Sequence, residues 1–394
     1  MTGSRLGVLV ATCAVLASSA CATFTEQPAA ASWQPATPLT PQAAPKPDTG
    51  DSEGGAGGDA DPGPNPDPTK IPPPDGCKDY NPAVLATCLD TVVAVAALPG
   101  DGSNPTALVG ERKTGRVLLV RKDTAPTLFA TIPVDPTGDG GLTGLALSPN
   151  YTEDQLVYAY VTTATDNRLV RIAPHDSPKP VLTGIPRGTT GNRGSLARDH
   201  VGALLLATGD AGNPTAAANP QSMAGKVLRL NAQGKAADGN PTAGDPILTS
   251  GLHSPGGICA AMDGAQMLVT DRLPAQDVLY RINPGKPLGT PAWTWPDRPG
   301  AAGCAATTKL VWVAMSTAGH VQNLPQAPDG SFTGKPQVVL AAPDGFGRID
   351  GMDLMTESLA VAGTVNKGAP NAVSSDDRAI VIPVQPQGGA GSAD

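Results

Sequence analysis

The strongest restriction on the fold is a repeat that begins shortly after residue 100 and runs to the C-terminal end of the chain. Six times, a short apolar segment is followed by a loop and a second apolar segment. The first segments of these pairs begin at residues 107, 156, 204, 267, 310 and 359. A spacing of 43 to 63 residues is typical of one four-stranded propeller blade per repeat. The sequence therefore predicts an all-β fold, a six-bladed β-propeller.

The amino-acid composition agrees with many short strands joined by turns. The 394 residues include 47 Gly and 42 Pro but only 4 Phe, 4 Trp and 5 Tyr, which argues against helical bundles and coiled coils. The third interval of the repeat is the longest because segments 209–225 and 231–249 are predicted to be extended loops, and we expect binding residues there. The Val92-Val93-Ala94-Val95 segment is predicted to close the ring with the last blade.

The N-terminus resembles a bacterial lipoprotein signal. Arg5 precedes the apolar run 6–17, and small residues then lead to Cys21. The run is too short to span a bilayer as a mature helix. Residues 1–20 are therefore predicted to be a signal peptide, with Cys21 lipidated and the protein held on the extracytoplasmic face of the cell membrane. The alternative is ordinary cleavage that leaves a secreted form, because Ser18 stands where Leu is more usual.

A change of composition separates a linker from the propeller. Segment 22–76 holds 13 of the 42 prolines and has almost no apolar periodicity, so it cannot bury a core. Residues 21–76 are therefore predicted to be a disordered, lipid-anchored linker, and a flexible chain of that length spans roughly 40 Å. The propeller is predicted to occupy residues 77–385, followed by a disordered tail at residues 386–394.

Four cysteines remain once the signal and the lipidated residue are set aside: Cys77, Cys88, Cys259 and Cys304. The sequence has no Cys-x-x-Cys pair and no histidine at zinc spacing, so disulfides are favoured over a metal site in an exported chain. Three connectivities are open. We predict Cys77 with Cys88 and Cys259 with Cys304, because each pair is nearest in sequence.

The charge balance excludes one class of partner. The chain has 35 acidic and 27 basic residues, a formal net charge of −8, and no run rich in lysine or arginine. Proteins that bind nucleic acids usually carry a basic patch interleaved with aromatic residues. We therefore expect no nucleic acid as a partner.

Six motifs follow one another along the predicted propeller. They are Gly141-Leu-Thr-Gly-Leu-Ala-Leu-Ser-Pro-Asn-Tyr151, Asn167-Arg168-Leu-Val-Arg171, Ala207-Thr-Gly-Asp-Ala-Gly212, Gly225-Lys-Val-Leu-Arg229, Gly251-Leu-His-Ser-Pro-Gly-Gly257 and Trp295-Pro296. Their order resembles that of the glucose/sorbosone dehydrogenases that depend on pyrroloquinoline quinone (PQQ), over roughly residues 90–385. The chain also resembles a group of mycobacterial lipoproteins with the same signal and proline-rich linker.

The resemblance implies hydride transfer from a sugar carbinol carbon to PQQ, with Ca²⁺ polarising the quinone. It places the proton-accepting base at Ser148, where the family has a histidine before proline. A serine hydroxyl cannot accept this proton unaided. The Arg-Asn pair that contacts the cofactor in the family is His253-Ser254 here, so His253 is the candidate for a substitute base.

The resemblance also assigns positions for the metal and for further cofactor contacts. The family's calcium-linked Gly-Pro corresponds to Leu273-Pro274, and its His-x-Gly-Gly motif corresponds to segment 191–194. Polar residues remain at other places where the family has its mouth loops: Asp210, Lys226, Asp271 and Arg348. The alternative for these four is structural, with Asp210 capping a turn, Asp271 paired locally, and Lys226 and Arg348 at strand edges. His253 could equally be a hydrogen-bonded turn residue.

Two functions are consistent with these patterns. The first is an oxidoreductase that oxidises a sugar or related alcohol with PQQ and Ca²⁺. The second is a non-catalytic propeller whose channel mouth binds an envelope glycan, a lipid or a partner protein. The substitutions at Ser148, His253, Ser254 and Leu273 favour the second function, because each removes a charge or ligand that the redox chemistry needs. The resemblance itself favours the first.

Overall fold

A computed structural model describes residues 71–384, with residues 175, 344 and 371 left out. The described chain forms six four-stranded sheets, which confirms the predicted six-bladed, all-β propeller. The predicted signal peptide, Cys21, most of the predicted linker and the predicted tail lie outside the described residues. No helix within the described residues is long and apolar enough to cross a membrane.

The strands follow the chain from blade to blade, and each blade is antiparallel. The first three blades are β2 (Val92–Ala97), β3 (Thr106–Glu111), β4 (Arg116–Arg121) and β5 (Thr124–Thr131); β6 (Leu142–Leu147), β7 (Val157–Thr162), β8 (Asn167–Ile172) and β9 (Lys179–Ile185); and β10 (Gly194–Arg198), β11 (Leu204–Thr208), β12 (Lys226–Leu230) and β13 (Ile247–Ser250). Two short helices lie in loops of the second and third blades, α1 (Tyr151–Asp154) and α2 (Pro214–Ala218).

The remaining blades repeat the arrangement. They are β14 (Pro255–Ala260), β15 (Met267–Arg272), β16 (Asp277–Arg281) and β17 (Trp293–Trp295); β18 (Ala301–Ala306), β19 (Leu310–Met315), β20 (His320–Pro325) and β21 (Gln337–Val339); and β22 (Ile349–Thr356), β23 (Leu359–Thr364) and β24 (Ala379–Pro383) with β1 (Val84–Ala86). Strands such as β7 are buried along their whole length, because both faces of a blade pack against neighbouring blades.

The ring is closed by a strand that the sequence did not single out. β1 pairs with β24, with Val84 opposite Ile380, so the sixth blade combines the beginning and the end of the propeller. The prediction that the Val92-Val93-Ala94-Val95 segment closes the ring was wrong, because this segment belongs to β2, the innermost strand of the first blade. Hydrogen bonds between β1 and β24 join the two ends of the propeller, and β1 forms the outer edge of the sixth blade.

Six inner strands surround the axis: β2, β6, β10, β14, β18 and β22, each in contact with the next. Glycines let them approach closely. A Cβ atom on Gly257 would lie 2.6 Å from the Cα of Gly303 in the neighbouring blade, and one on Gly351 would lie 2.6 Å from the Val93 carbonyl oxygen. The cavity left at the middle of the axis measures only about 10 Å³, which barely accommodates one water molecule. The channel is therefore divided into two separate mouths.

Both disulfides form as predicted. Cys77 pairs with Cys88, and Cys259 pairs with Cys304. The second disulfide joins β14 to β18 and so connects the inner strands of two neighbouring blades.

Candidate functional site

Charged residues gather where the inner strands begin. Arg193 directly precedes β10, and His253 lies just before β14. Asp350 lies near the start of β22. Asp210 follows β11, and Asp271 lies near the end of β15, which places both at the same end of the propeller because adjacent strands are antiparallel. We call the region formed by these five residues the polar mouth.

An imidazole and a carboxylate form one pair in the polar mouth. The His253 Nδ1 atom lies 2.5 Å from Asp210 Oδ2. Because an ionised carboxylate only accepts hydrogen bonds, this contact places the proton on Nδ1 and leaves Nε2 able to accept one. The His253 side chain is 30% exposed, whereas Asp210 is 1% exposed. The pair therefore orients a solvent-accessible base.

Asp271 fixes the loop that carries this histidine. Its carboxylate accepts hydrogen bonds from the backbone N–H of His253 at 2.9 Å and from that of Ser254 at 2.6 Å. The backbone N–H of Asp210 in turn donates to the His253 carbonyl at 2.9 Å. Burial raises the pKa of Asp271 to about 6. The loop is thus held by buried polar contacts on two neighbouring blades.

An ion pair spans the channel beside the histidine. Arg193 comes from the third blade and Asp350 from the sixth, so they reach towards each other from opposite sides of the ring. Arg193 Nη1 donates to Asp350 Oδ2 at 3.1 Å, and Nη2 donates to Asp350 Oδ1 and to the Gly256 carbonyl. The two side chains are 10% and 4% exposed. The pair therefore fills the axis of the polar mouth with a neutralised cation.

A second arginine lies against the same carboxylate. Arg272 Nη2 is 3.8 Å from Asp350, while its guanidinium donates to the carbonyls of Gly300 and Ala301. Burial lowers the pKa of Arg272 to about 10. Sequence reasoning missed Arg193, Arg272 and Asp350. The one available signal was that Arg193 lies in segment 191–194, which the resemblance had already marked as altered.

Lys226 lies behind the polar mouth and not in it. The residue is fully buried, and its Nζ donates to the carbonyls of Ala216, Ala217 and Ala224 at 2.8–3.0 Å. A lysine ammonium has three protons to donate, so these contacts use all of them. Lys226 therefore closes the loop that contains α2, in agreement with the structural alternative for this residue.

Ser148 and His253 do not belong to one site, and this corrects the expectation that they occupy the base and cofactor positions of a single centre. Ser148 follows β6 and is found at the opposite mouth, because it stands at the end of an inner strand while His253 stands before the start of one. Its Oγ donates to Asp154 Oδ2 at 2.6 Å. Ser148 is 2% exposed, so its hydroxyl serves the turn around α1.

The other predicted positions lie at the end of the propeller that carries the polar mouth. Ser254 belongs to the loop held by Asp271. The backbone N–H of Arg348 donates to Asn366 Oδ1 at 2.7 Å. Leu273-Pro274 forms the turn between β15 and β16, where the Leu273 N–H donates to the Gln276 carbonyl. Within residues 71–384, no group of three or more His, Cys, Asp or Glu side chains is arranged to hold a metal ion.

The polar mouth does not fit a tricarboxylate quinone. Such a cofactor carries three carboxylates and needs cations with free donors. Arg193 is paired with Asp350, and the Lys226 ammonium donates all its protons to carbonyls. Of the predicted cofactor contacts, Arg348 is the one cation that makes only a backbone hydrogen bond among the described residues. The carboxylate of Asp210 adds negative charge to the same region. Arg193 Nε is buried and has no hydrogen-bond partner among the described residues, yet it lies within the ion pair and not at a surface that a carboxylate can reach.

Residues 89–309 match the family model described as glucose/sorbosone dehydrogenase. The PQQ-bound aldose sugar dehydrogenase of Streptomyces coelicolor is 27% identical, with a TM-score of 0.68 over 76% of this chain and 96% of that one. A putative oxidoreductase (glucose dehydrogenase) of Thermus thermophilus is 25% identical, with a TM-score of 0.68 over 76% of this chain and 98% of that one.

The soluble aldose sugar dehydrogenase of Escherichia coli, in its apo form, shares the fold at 19% identity, with a TM-score of 0.63 over 76% of this chain and 98% of that one. A search of curated proteins found no significant match.

Proposed function

The chain belongs to the glucose/sorbosone dehydrogenase family, and from this premise we propose that it is an exported, lipid-anchored propeller that binds a sugar-like ligand at the polar mouth without oxidising it through PQQ. The observation that carries the proposal is the Arg193–Asp350 ion pair across the axis. It pairs the Arg193 guanidinium with a carboxylate and leaves it no free charge for a cofactor.

The remaining groups suit hydroxyl-bearing ligands. The His253 Nε2 atom can accept a hydrogen bond from a sugar hydroxyl, and Asp210 holds the imidazole in the orientation that makes this possible. The ligand we propose for this mouth is an envelope glycan.

Oxidation of a sugar is the second candidate, and one observation favours it. A buried carboxylate at Nδ1 orients the histidine that acts as general base in Ser-His-Asp triads, and His253 with Asp210 has this arrangement. In that case His253 would take the hydroxyl proton, and the Arg193–Asp350 pair would have to open to admit a cofactor.

The two candidates differ in their response to added cofactor. The experiment uses the purified full chain in detergent, with PQQ and Ca²⁺ in excess, and records the cofactor absorbance and the melting temperature. A ligand of the folded state must raise the melting temperature. We expect neither signal to change. A rise in melting temperature with reduction of bound PQQ by D-glucose would overturn the proposal in favour of the oxidoreductase.

Sugar binding is tested on the same preparation. Saturation-transfer NMR with disaccharides of D-glucose, D-mannose and D-arabinose should detect binding in the wild type and in His200→Ala, because His200 lies at the opposite mouth. His253→Ala should lose it. Equal signals from His253→Ala and the wild type would show that the polar mouth does not bind these sugars.

Membrane attachment rests on the small residues that precede Cys21 and on the apolar run before them. Cys21→Ala should move the protein from the detergent phase to the aqueous phase in a phase-partition assay. Cys13→Ala is the matched control, since Cys13 lies in the segment expected to be removed. A wild-type chain that remains in the aqueous phase would contradict lipidation.

A further inference from the structure

A second cavity lies at the mouth opposite to the polar mouth, where the inner strands end. It measures about 580 Å³, a size that is ordinary for small-molecule sites. We call it the chamber, and its wall includes Ala97, Leu147, Arg198, Cys259 and Asp353. The narrow centre of the axis, with its cavity of about 10 Å³, separates the chamber from the polar mouth. The chamber is therefore a distinct site.

Two opposite charges line the chamber from opposite blades. Arg198 ends β10 in the third blade, and Asp353 lies in β22 in the sixth. Each is held in place by one backbone contact. Asp353 Oδ2 accepts a hydrogen bond from the Ala97 N–H at 2.8 Å, and Arg198 Nη1 donates to the Ser148 carbonyl at 3.2 Å. Their remaining polar atoms are available to a ligand in the cavity.

The other charged groups around the chamber are engaged or lie at its rim. Asp199 pairs with Arg229 at 2.7 Å, and His200 is exposed to solvent. Burial raises the pKa of Asp353 to about 6 although the charge of Arg198 lowers it. Asp353 is therefore ionised at neutral pH in poorly hydrated surroundings, where an unmatched charge is costly.

Most residues of the remaining wall have aliphatic side chains, although polar atoms make up more than half of its exposed surface. Small aliphatic residues from the inner strands of several blades cover it, including Ala146, Ala260 and Ala306, and the side chains of Met262 and Met355 lie towards its edge. A ligand in the chamber thus meets one positive group, one negative group and several aliphatic side chains.

We propose that the chamber binds a small zwitterion with an aliphatic body, with its carboxylate at Arg198 and its ammonium group at Asp353. A ligand with a single charge would pair with one of these residues and leave the other without an opposite charge on the ligand. A neutral ligand would leave both residues without an opposite charge. The dipolar arrangement of the chamber therefore selects a dipolar ligand.

A series of probes tests the proposal on the purified full chain by isothermal titration calorimetry. The probes are 4-aminobutanoate, 6-aminohexanoate and 8-aminooctanoate, with hexanoate and hexylamine as singly charged controls. One member of the series should bind best, because only one length spans the two charges. Each singly charged control should bind at least about tenfold more weakly, since it loses one charge-assisted hydrogen bond. Equal binding of all five probes, or binding of none, would overturn the proposal.

Variants assign the binding to the two charges. Arg198→Met and Asp353→Asn should each weaken binding of the best amino acid about tenfold or more, whereas Arg121→Met, at an exposed position on β4, should not. Asp353→Asn should also strengthen hexanoate binding relative to the wild type, because the carboxylate that opposes the anion is gone. This gain of affinity cannot result from partial unfolding, and unchanged hexanoate affinity would refute the assignment.

The test is independent of the proposed function. His253→Ala should leave zwitterion binding unchanged, because His253 lies beyond the closed centre of the axis. Arg198→Met should likewise leave binding of sugars at the polar mouth unchanged. If the protein binds the zwitterion but not the sugars, only the polar-mouth proposal is refuted. If it binds the sugars but not the zwitterion, only the chamber proposal is refuted.

Discussion

Removing the Asp350 carboxylate should strongly destabilise the propeller. Arg193 and Asp350 are 10% and 4% exposed, so Asp350→Ala leaves a buried guanidinium whose other contact is the Gly256 carbonyl. Arg272, 3.8 Å from the same carboxylate, loses its neighbouring charge as well. Removing one partner of a buried ion pair costs about 3–5 kcal/mol, and we expect the free energy of unfolding to fall by this amount.

The loss translates into a measurable change of melting temperature. At about 2.1 cal/mol/K per residue, a folded region of residues 71–384 has an unfolding entropy of about 0.65 kcal/mol/K. Dividing the free-energy loss by this entropy predicts a melting temperature about 5–8 °C lower. Differential scanning calorimetry of the full chain measures it, and guanidinium unfolding gives the free energy separately.

A double variant tests the reasoning behind the number. In Arg193→Met with Asp350→Leu, neither buried charge is left unpaired, so most of the lost stability should return. Asp176→Asn breaks the exposed Asp176–Lys179 pair and should leave the melting temperature unchanged. The reasoning is refuted if Asp350→Ala loses less than about 1 kcal/mol, the scale of an exposed pair, or if the double variant is no more stable than Asp350→Ala.

Three further predictions concern other parts of the propeller. Burial raises the pKa of Asp353 from 3.8 to about 6, so between these pH values the folded chain holds a proton that the unfolded chain releases. The stability that this group contributes therefore falls by up to about 3 kcal/mol as pH rises from 4 to 7. Asp353→Asn should remove that fall when guanidinium unfolding is measured across this pH range, whereas parallel pH profiles for the two proteins would count against the prediction. Gly194→Ala places a Cβ atom 2.4 Å from the Tyr160 ring and should lower the free energy of unfolding by about 1–3 kcal/mol through overpacking. A melting temperature equal to that of the wild type would contradict this prediction. Replacing Cys259 and Cys304 by alanine opens a loop with a sequence separation of 45 and should lower the free energy of unfolding by about 2–4 kcal/mol, which urea unfolding with and without reductant can measure.

The architecture was predictable because its signals are local. Strands and turns recur at a nearly constant spacing, and a single blade leaves apolar faces exposed, so the repeat itself implies a ring. The disulfides were predicted correctly by pairing each cysteine with its nearest neighbour in sequence. Ring closure was harder, because β1 has only three residues and carries too little pattern to be distinguished from the longer apolar segment after it.

The functional surfaces depended on contacts that no periodicity encodes. Arg193 and Asp350 are 157 residues apart, and they meet because the third and sixth blades oppose each other once the ring has closed. The same geometry separates Ser148 from His253, because the two ends of an inner strand open onto different mouths. Residue types and spacing along the chain determine that a propeller forms, since strand formation and turn geometry are short-range effects. Which charges neutralise each other across the axis is decided only when all six blades are assembled, because Coulomb interactions and burial depend on distance in space.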